Sequence, residues 1–273
     1  MAGKLYIVGT PIGNLEDFSP RGRRILSEVD FIAAEDTRVT VKLLNHLGIS
    51  KPMVAYFEHN KKERGNVVID RLLSGETCAL VTDAGMPAIS DPGEDLICEC
   101  HEKGIAVESV PGPTAFATAM ALSGMPSGRF CFEGFLSVNK PSRKQHLSEV
   151  KNERRTMIFY EAPHKLRKTL DDMYEAFGER KIAIVREITK IHETVMRTTF
   201  SEAIEFYSQN EPRGEYVLII EGAKEEKQEY SLDDAVKIAK KLIEDGQPAS
   251  AAAKEAAQMT GIKKSEIYKK MLG

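Results

Sequence analysis

From Ala79 to Gly93 the chain reads Ala-Leu-Val-Thr-Asp-Ala-Gly-Met-Pro-Ala-Ile-Ser-Asp-Pro-Gly. The apolar run Ala79–Val81, bounded by polar residues and Gly85, reads as a buried parallel strand, although so short a run does not by itself exclude helix. Behind Thr82 come eleven residues holding two prolines, two glycines and two aspartates. Strand-to-helix connections usually take about 2–6 residues, and longer ordered ones often carry function. A long, stiffened loop at the carboxyl end of a strand is where open α/β sheets place their ligands. Loops of this composition also serve as ordinary connections. Pro92 reads as the first residue of a helix capped by Asp91.

The rest of the chain repeats the alternation. Lys4–Val8 is a predicted strand followed by Gly9-Thr-Pro-Ile-Gly-Asn14, a loop that is neither the dinucleotide fingerprint nor a P-loop. A helix over Pro20–Glu28 has Ser19 as its cap. A strand, Val29–Ala34, ends in Glu35-Asp-Thr-Arg38, either a helix start capped by Asp36 or Thr37, or a substrate-facing cluster on the same rim as Asp83. Helix Val39–Leu47 stops at Gly48, strand Met53–Ala55 follows, and a helix runs on through Leu73. Beyond the central loop come helix Pro92–Lys103, strand Ile105–Val110, and Val110-Pro-Gly-Pro-Thr-Ala115 opening a helix to Leu122. Free amides near Thr114 suit a polar ligand. Repeated β-α units predict a parallel sheet, which Phe130–Gly134 is expected to close.

The second half changes character. Strands are expected at Thr156–Tyr160, Ile182–Arg186, after Glu193 through Phe200, and over Arg213–Glu221, with helices reaching Phe177 and starting at Ser201. Few long helices interrupt them, so a mixed, largely antiparallel sheet is predicted. Ahead of it, Lys140–Arg155 carries six Lys or Arg against two Glu. That excess fits either a solvated helix or contacts to a phosphate backbone. Ala223–Tyr230 reads as a linker. Ser231-Leu-Asp-Asp234 has capping-box spacing, and short helices to Met271, broken near Gly246 and Gly261, have helix-turn-helix spacing. Eight lysines against six acids in this tail make a weak case for nucleic-acid binding.

The 273 residues, 42% hydrophobic and 29% charged, with a formal net charge of -3, describe a soluble globular chain and argue against a generally basic nucleic-acid wrapper; a local basic patch remains open. No apolar run approaches the roughly 18 residues of a membrane span, and no signal peptide is read at the start. Cys78, Cys98, Cys100 and Cys131 are too few and too irregular for a disulfide scaffold. A cytoplasmic protein without a metal is expected.

Seven motifs stand in order: Val8–Asn14, Glu35–Arg38, Thr82–Gly93, Val110–Ala115, Tyr160-Glu-Ala-Pro-His164, Arg186-Glu-Ile-Thr-Lys190 and Arg213-Gly-Glu215. Together they resemble the tetrapyrrole-methylase-like superfamily, in its branch of small-subunit ribosomal RNA methyltransferases. The resemblance runs from about Lys4 to Glu221, and the helical tail is similar to that branch's C-terminal domain. It implies a two-domain α/β methyltransferase, domains 1–137 and 138–222 with a helical 231–273, acting as a homodimer with S-adenosylmethionine in the cleft between domains. The implied substrate is the ribose 2′-hydroxyl of a cytidine in the decoding region of 16S ribosomal RNA. By the same analogy Gly9, Pro11, Asp83, Ala84, Gly85, Met86, Ile89 and Ser90 line the cofactor from one side. Pro113, Thr114 and Ala115 join them, and Arg213, Gly214 and Glu215 approach from the second domain. Met86 stands where Thr is expected, which favours main-chain contacts there. Lys190, Glu187, His164 and Glu161 are candidates to assist deprotonation, although His164 also reads as a helix cap and Glu187 as a partner of Arg186. Arg38, Lys140, Arg143, Lys144, Arg154 and Arg155 are candidates for RNA contact. A small-molecule tetrapyrrole methylase is the alternative, and a non-catalytic nucleic-acid-binding protein using its tail is a third reading.

Overall fold

The structure is a computed structural model describing residues 2–224 and 230–272. The chain divides into two compact units, Met1–Ala223 and Lys224–Gly273. The first unit opens with β1 (Lys4–Val8), α1 (Pro20–Glu28), β2 (Phe31–Ala34), α2 (Thr37–Leu47) and β3 (Met53–Ala55). It continues through α3 (Lys61–Leu73), β4 (Cys78–Val81), α4 (Glu94–Glu102), β5 (Ala106–Val110) and α5 (Ala115–Ser123). The five strands form one parallel sheet in the order β3-β2-β4-β1-β5. Strand residues alternate between its faces. Phe31, Ala33, Cys78 and Leu80 pack against Val68, Ile69 and Leu96 of α3 and α4. Ile32, Ala34, Ala79 and Val81 pack against Ile25, Leu26 and Leu44 of α1 and α2. Burial on both faces explains why these strands read as continuous apolar runs.

Helix α1 is capped as expected, the Ser19 hydroxyl accepting from the Gly22 amide at 2.9 Å. Helix α4 is not: it starts at Glu94, and Asp91 and Pro92 stay in the loop. Gly93 has φ of 147°, and a side chain there would come within 3.0 Å of Leu80 and 3.1 Å of Ala88. The chain turns at the one residue that fits, and the helix begins after it.

The second sheet contains β6 (Phe130–Phe135), β7 (Thr156–Glu161), β8 (Lys181–Arg186), β9 (Thr194–Thr199) and β10 (Tyr216–Ile220). Its order is β6-β7-β10-β8-β9, with β6 parallel to β7 and the other pairs antiparallel. Helices α6 (Lys140–Glu149), α7 (Leu166–Phe177) and α8 (Phe200–Gln209) contribute Leu147, Leu170 and Phe200 to the core on one face. The other face is covered by Ala119 and Met120 of α5 and by Ile12 from the loop after β1. Phe130–Gly134 therefore does not close the first sheet. Its aromatic residues find partners beside the second one, Phe132 stacking on Phe116 of α5 at 4.7 Å and meeting Tyr160 of β7 edge-on at 5.0 Å.

The second unit holds α9 (Leu232–Glu244), α10 (Ala249–Thr260) and α11 (Lys264–Leu272). Ser231 caps α9 through the Asp234 amide, and Ala235, Ala239, Ala253, Ala256 and Ile267 form its small core. The linker expected over Ala223–Tyr230 falls largely on residues 225–229, outside the described residues. Among the described residues no helix is long and apolar enough to cross a membrane.

Candidate active site

The loops leaving β1, β4 and β5 meet at the carboxyl edge of the parallel sheet. The Thr10 amide donates to the Gly85 carbonyl at 2.9 Å, the Gly85 amide donates back at 3.1 Å, and the Thr10 hydroxyl donates to the Thr82 carbonyl at 3.0 Å. Gly9 crosses Gly112 so closely that a Cβ would lie 2.7 Å from the Gly112 Cα. These contacts fasten the long Asp83–Gly93 loop from below. Two of its non-glycine residues, Ala88 and Ser90, have φ of 66° and 65°. Backbone held in that sparsely populated region is characteristic of ligand-binding segments.

Above the loop lies a cleft of 460 Å³ walled by both sheets. The first sheet supplies Glu35, Asp83 to Met86, Ile89 to Asp91, Thr114 and Ala115; the second supplies Phe135, Tyr160 to Pro163, Ile188 and Glu215 to Val217. One wall is acidic. The Thr82 hydroxyl and the Asp83 amide donate to the Glu35 carboxylate, and the Asp36 amide donates to Asp83 Oδ1 at 3.1 Å. Burial, reinforced by the charge of Glu35, pushes the Asp91 carboxyl up to about 6. The same two causes raise Asp83. Like charges so placed resist joint ionisation, and a cation would relieve them.

On the opposite wall the Tyr160 hydroxyl accepts from the Phe116 amide at 3.0 Å, satisfying one free donor at the start of α5. Glu161 is buried and accepts from the Thr169 hydroxyl and, at 2.8 Å, from the Ala162 amide. Lys190 Nζ donates to Glu187 at 2.9 Å and to Glu215 at 3.0 Å. Burial works to lower its pKa, but these two carboxylates outweigh it and leave it raised. The mirror effect holds Glu187 low despite burial. Lys190 is thus a fixed cation and a poor proton acceptor.

The cleft gathers Asp83, Ala84, Gly85, Met86, Ile89, Ser90, Thr114, Ala115, Glu161 and Glu215 from the sequence candidates. Others stand apart from its walls. Gly9 is spent on the crossing with Gly112, and Pro11 lines a separate depression with Leu15 and Val39. Pro113 precedes the lining turn, Arg213 pairs with Glu211, and Gly214 lies under the Glu187 carboxylate. Glu187 and Lys190 sit behind Glu215. His164 is exposed in a 3-10 turn over Pro163–Lys165 rather than capping α7. Asp36, in contrast, does cap α2, accepting from the Arg38 amide at 2.8 Å. Ile12, Asp91, Tyr160 and Ile188 are cleft residues that stand within recognised motifs without being singled out, Asp91 reading there as a cap, whereas Phe135 and Tyr216 are cleft residues outside every motif.

The RNA candidates also separate. Lys140, Lys144 and Lys151, joined by Lys168 of α7, surround a groove of 390 Å³ between α6 and α7 that also carries Asp172 and Glu175. Arg143 lines it too but is 6% exposed, its guanidinium donating to Asp172 at 2.5 Å and Thr169 at 2.7 Å. Arg143 is therefore a structural cation, committed to partners that no local pattern reveals. Arg38 is bound to Asp36 at 2.6 Å, and Arg155 to Glu153 at 2.7 Å. Arg154 and Arg155 line a different depression with Arg129.

The acidic wall, the apolar residues Ile12, Met86, Ile89, Ile188 and Val217, and the amides at the start of α5 suit a ligand with a cationic centre and an apolar body. S-adenosylmethionine, the cofactor implied by the motifs, has both. Among the described residues no cluster of His, Cys, Asp or Glu is arranged to hold a metal.

Residues 4–204 match the family of Tetrapyrrole (Corrin/Porphyrin) Methylases. The ribosomal RNA small subunit methyltransferase I of Halalkalibacterium halodurans is 46% identical over 270 residues, covering 97% of this chain and 93% of that protein. The protein of the same name from Thermotoga maritima is 47% identical over 220 residues, covering 81% of this chain and 99% of its own. Among solved structures, uroporphyrin-III C-methyl transferase from Thermus thermophilus, complexed with S-adenyl homocysteine, superposes with a TM-score of 0.57 at 16% identity, over 80% of this chain and 97% of that one. The motifs, the two-sheet architecture and these near-full-length relatives agree: the chain belongs to the tetrapyrrole methylase family, in the branch of ribosomal RNA small subunit methyltransferase I.

Proposed function

We propose that this chain transfers a methyl group from S-adenosylmethionine to small-subunit ribosomal RNA, at the ribose 2′-oxygen of a cytidine in the decoding region, as a cytoplasmic homodimer. The observation that carries the reading is the cleft itself, in which an acidic wall and apolar walls from two sheets converge on one strained loop. The names of the relatives support the RNA substrate. The S-adenyl homocysteine in the Thermus structure supports the cofactor class. The cytidine and its 2′-oxygen follow from the motif resemblance.

When bound, the cofactor supplies a methyl group already activated by a sulfonium, so the demanding electronics are its own. The protein's task is alignment of oxygen, carbon and sulfur, with reacting atoms about 3 Å apart. Asp83, Asp91 and Glu35 would hold the cationic part, and the Thr114–Ala115 turn would offer its amides to a polar part. Lys190, clamped between Glu187 and Glu215, offsets part of their negative charge and fixes Glu215 at the wall of the cleft. Glu161 is locked by Thr169 and Ala162 and holds the end of β7 in place. The lysine groove between α6 and α7 receives backbone phosphates.

Labelled S-adenosylmethionine incubated with isolated small ribosomal subunits, followed by mapping of the modified nucleotide, tests this. Label is expected on a cytidine 2′-oxygen. Label on a base would refute the assigned oxygen, and transfer to a tetrapyrrole but not to RNA would move the chain to small-molecule chemistry.

A further inference from the structure

Between Phe132 and Gly134 the register of β6 against β7 shifts: Phe132 faces Ile158, Gly134 faces Phe159 and Phe135 faces Tyr160. Glu133 is the additional residue, and its carboxylate pairs with His146 of α6 at 3.0 Å. Side chains alternate across a strand, so without the bulge Phe135 would fall on the face of Phe159, beneath α6. With it, Phe135 returns to the face of Phe132 and Tyr160. Bulges that re-aim a side chain are frequent beside active sites. Here the consequence is a ring at the edge of the cleft, 5.4 Å from the Tyr160 ring and 55% exposed. The bulge also abuts the strained loop, since a Cβ on Gly134 would lie 3.5 Å from the Ser90 hydroxyl.

An aromatic ring this exposed adds little to the core. Its position serves a flat partner, and two are on hand under the proposed reaction: the adenine of the cofactor and the base of the target nucleotide. Phe135 belongs to the second sheet, beside the Ser90 end of the loop, and a short turn separates it from α6. Lys140 follows five residues later, which the reach of the backbone limits to at most about 18 Å. Lys140 and Lys144 open the lysine groove. Phe135 ends the edge strand of the sheet, next to the turn that leads to these lysines, and unstacked bases in RNA recognition commonly stack on aromatic side chains.

We infer that Phe135 is the platform on which the base of the target nucleotide stacks, holding its ribose toward the methyl donor. This rests on the RNA-methyltransferase reading. It makes Phe135 a substrate-positioning residue that the motifs do not single out.

The test is Phe135→Ala and Phe135→Tyr in the full chain, with methyl transfer to small subunits measured against substrate concentration and cofactor affinity measured by calorimetry. Phe135→Ala is expected to lower kcat/KM for the RNA about ten- to a hundredfold, the scale of one lost base–aromatic stack, with cofactor affinity unchanged. Phe135→Tyr, which keeps the ring, is expected to stay within about threefold of the unaltered protein. A parallel loss of cofactor affinity in Phe135→Ala would assign the ring to adenine and overturn the inference. Unchanged kinetics in Phe135→Ala would reduce Phe135 to a wall and overturn it as well. If the unaltered protein methylates no RNA, the underlying reading fails and the inference with it; the first two outcomes overturn the inference alone.

Discussion

Asp91 shows how a single side chain joins structure to ligand charge. Its carboxyl, raised to about 6 by burial and by Glu35, with Asp83 adding to the rise, favours the protonated form in the folded protein. The contribution of Asp91 to stability is therefore fully present below its unfolded value near 4 and is lost as the pH rises through 6. Binding of a cation reverses the preference. Affinity for S-adenosylmethionine is expected to fall by up to tenfold per pH unit below about 6, measured by calorimetry, with Arg38 and the other two carboxylates unaltered. Asp91→Asn should weaken binding at pH 7.5 and flatten that dependence. The same variant, free of ligand, should melt higher than the unaltered protein at pH 7 and no higher at pH 3.5. A pH slope that survives the substitution would place the titrating group elsewhere.

At the scale of elements, helix α6 separates two uses of positive charge that its sequence does not distinguish. Arg143 faces inward to Asp172 and Thr169, and Thr169 passes the connection on to Glu161 at the cleft. Lys144 faces the groove. Arg143→Ala removes a buried guanidinium held by Asp172 and Thr169, leaving Asp172 only Lys168 at 3.6 Å, and is expected to cost about 2–4 kcal/mol of stability in denaturant unfolding, with little change in the salt dependence of RNA binding. Lys144→Ala should leave stability within about 0.5 kcal/mol. It should reduce the slope of log affinity against log salt by about 0.7–0.9, the value of one phosphate contact. Equal salt slopes for Lys144→Ala and the unaltered protein would return the groove to ordinary solvated surface.

For the whole molecule, all cleft residues and both sheets belong to the first unit. The Thermotoga relative leaves about a fifth of this chain unmatched while being covered almost entirely itself. A chain ending at Ala223 is accordingly expected to unfold cooperatively and to bind S-adenosylmethionine within about threefold of the full-length value. Loss of binding on that truncation would give the helical unit a part in the site. Within the first unit, α5 is the hinge of the architecture: it follows a strand of the parallel sheet yet buries Ala119 and Met120 against the second sheet. That helix and Ile12 pack elements of the first sheet onto the second beside the cleft.

The amino-acid sequence by itself determined the order and kind of nearly every element. Those properties are set by signals acting over a few residues: the cap at Ser19, the stop at Gly48, apolar runs for strands buried on both faces, the capping box at Ser231. It also determined the family, because seven short motifs in fixed order are specific even where each is weak. Tertiary structure alone decided the membership of β6 in the second sheet, the aim of Phe135, the turn of Asp91 into the cleft and the burial of Arg143. Each depends on a partner distant in the chain, Tyr160 for Phe135, Glu35 for Asp91, Thr169 and Asp172 for Arg143. Periodicity says that a residue has a face. Which surface that face meets is settled by long-range packing, and the chemistry of the site follows from those meetings.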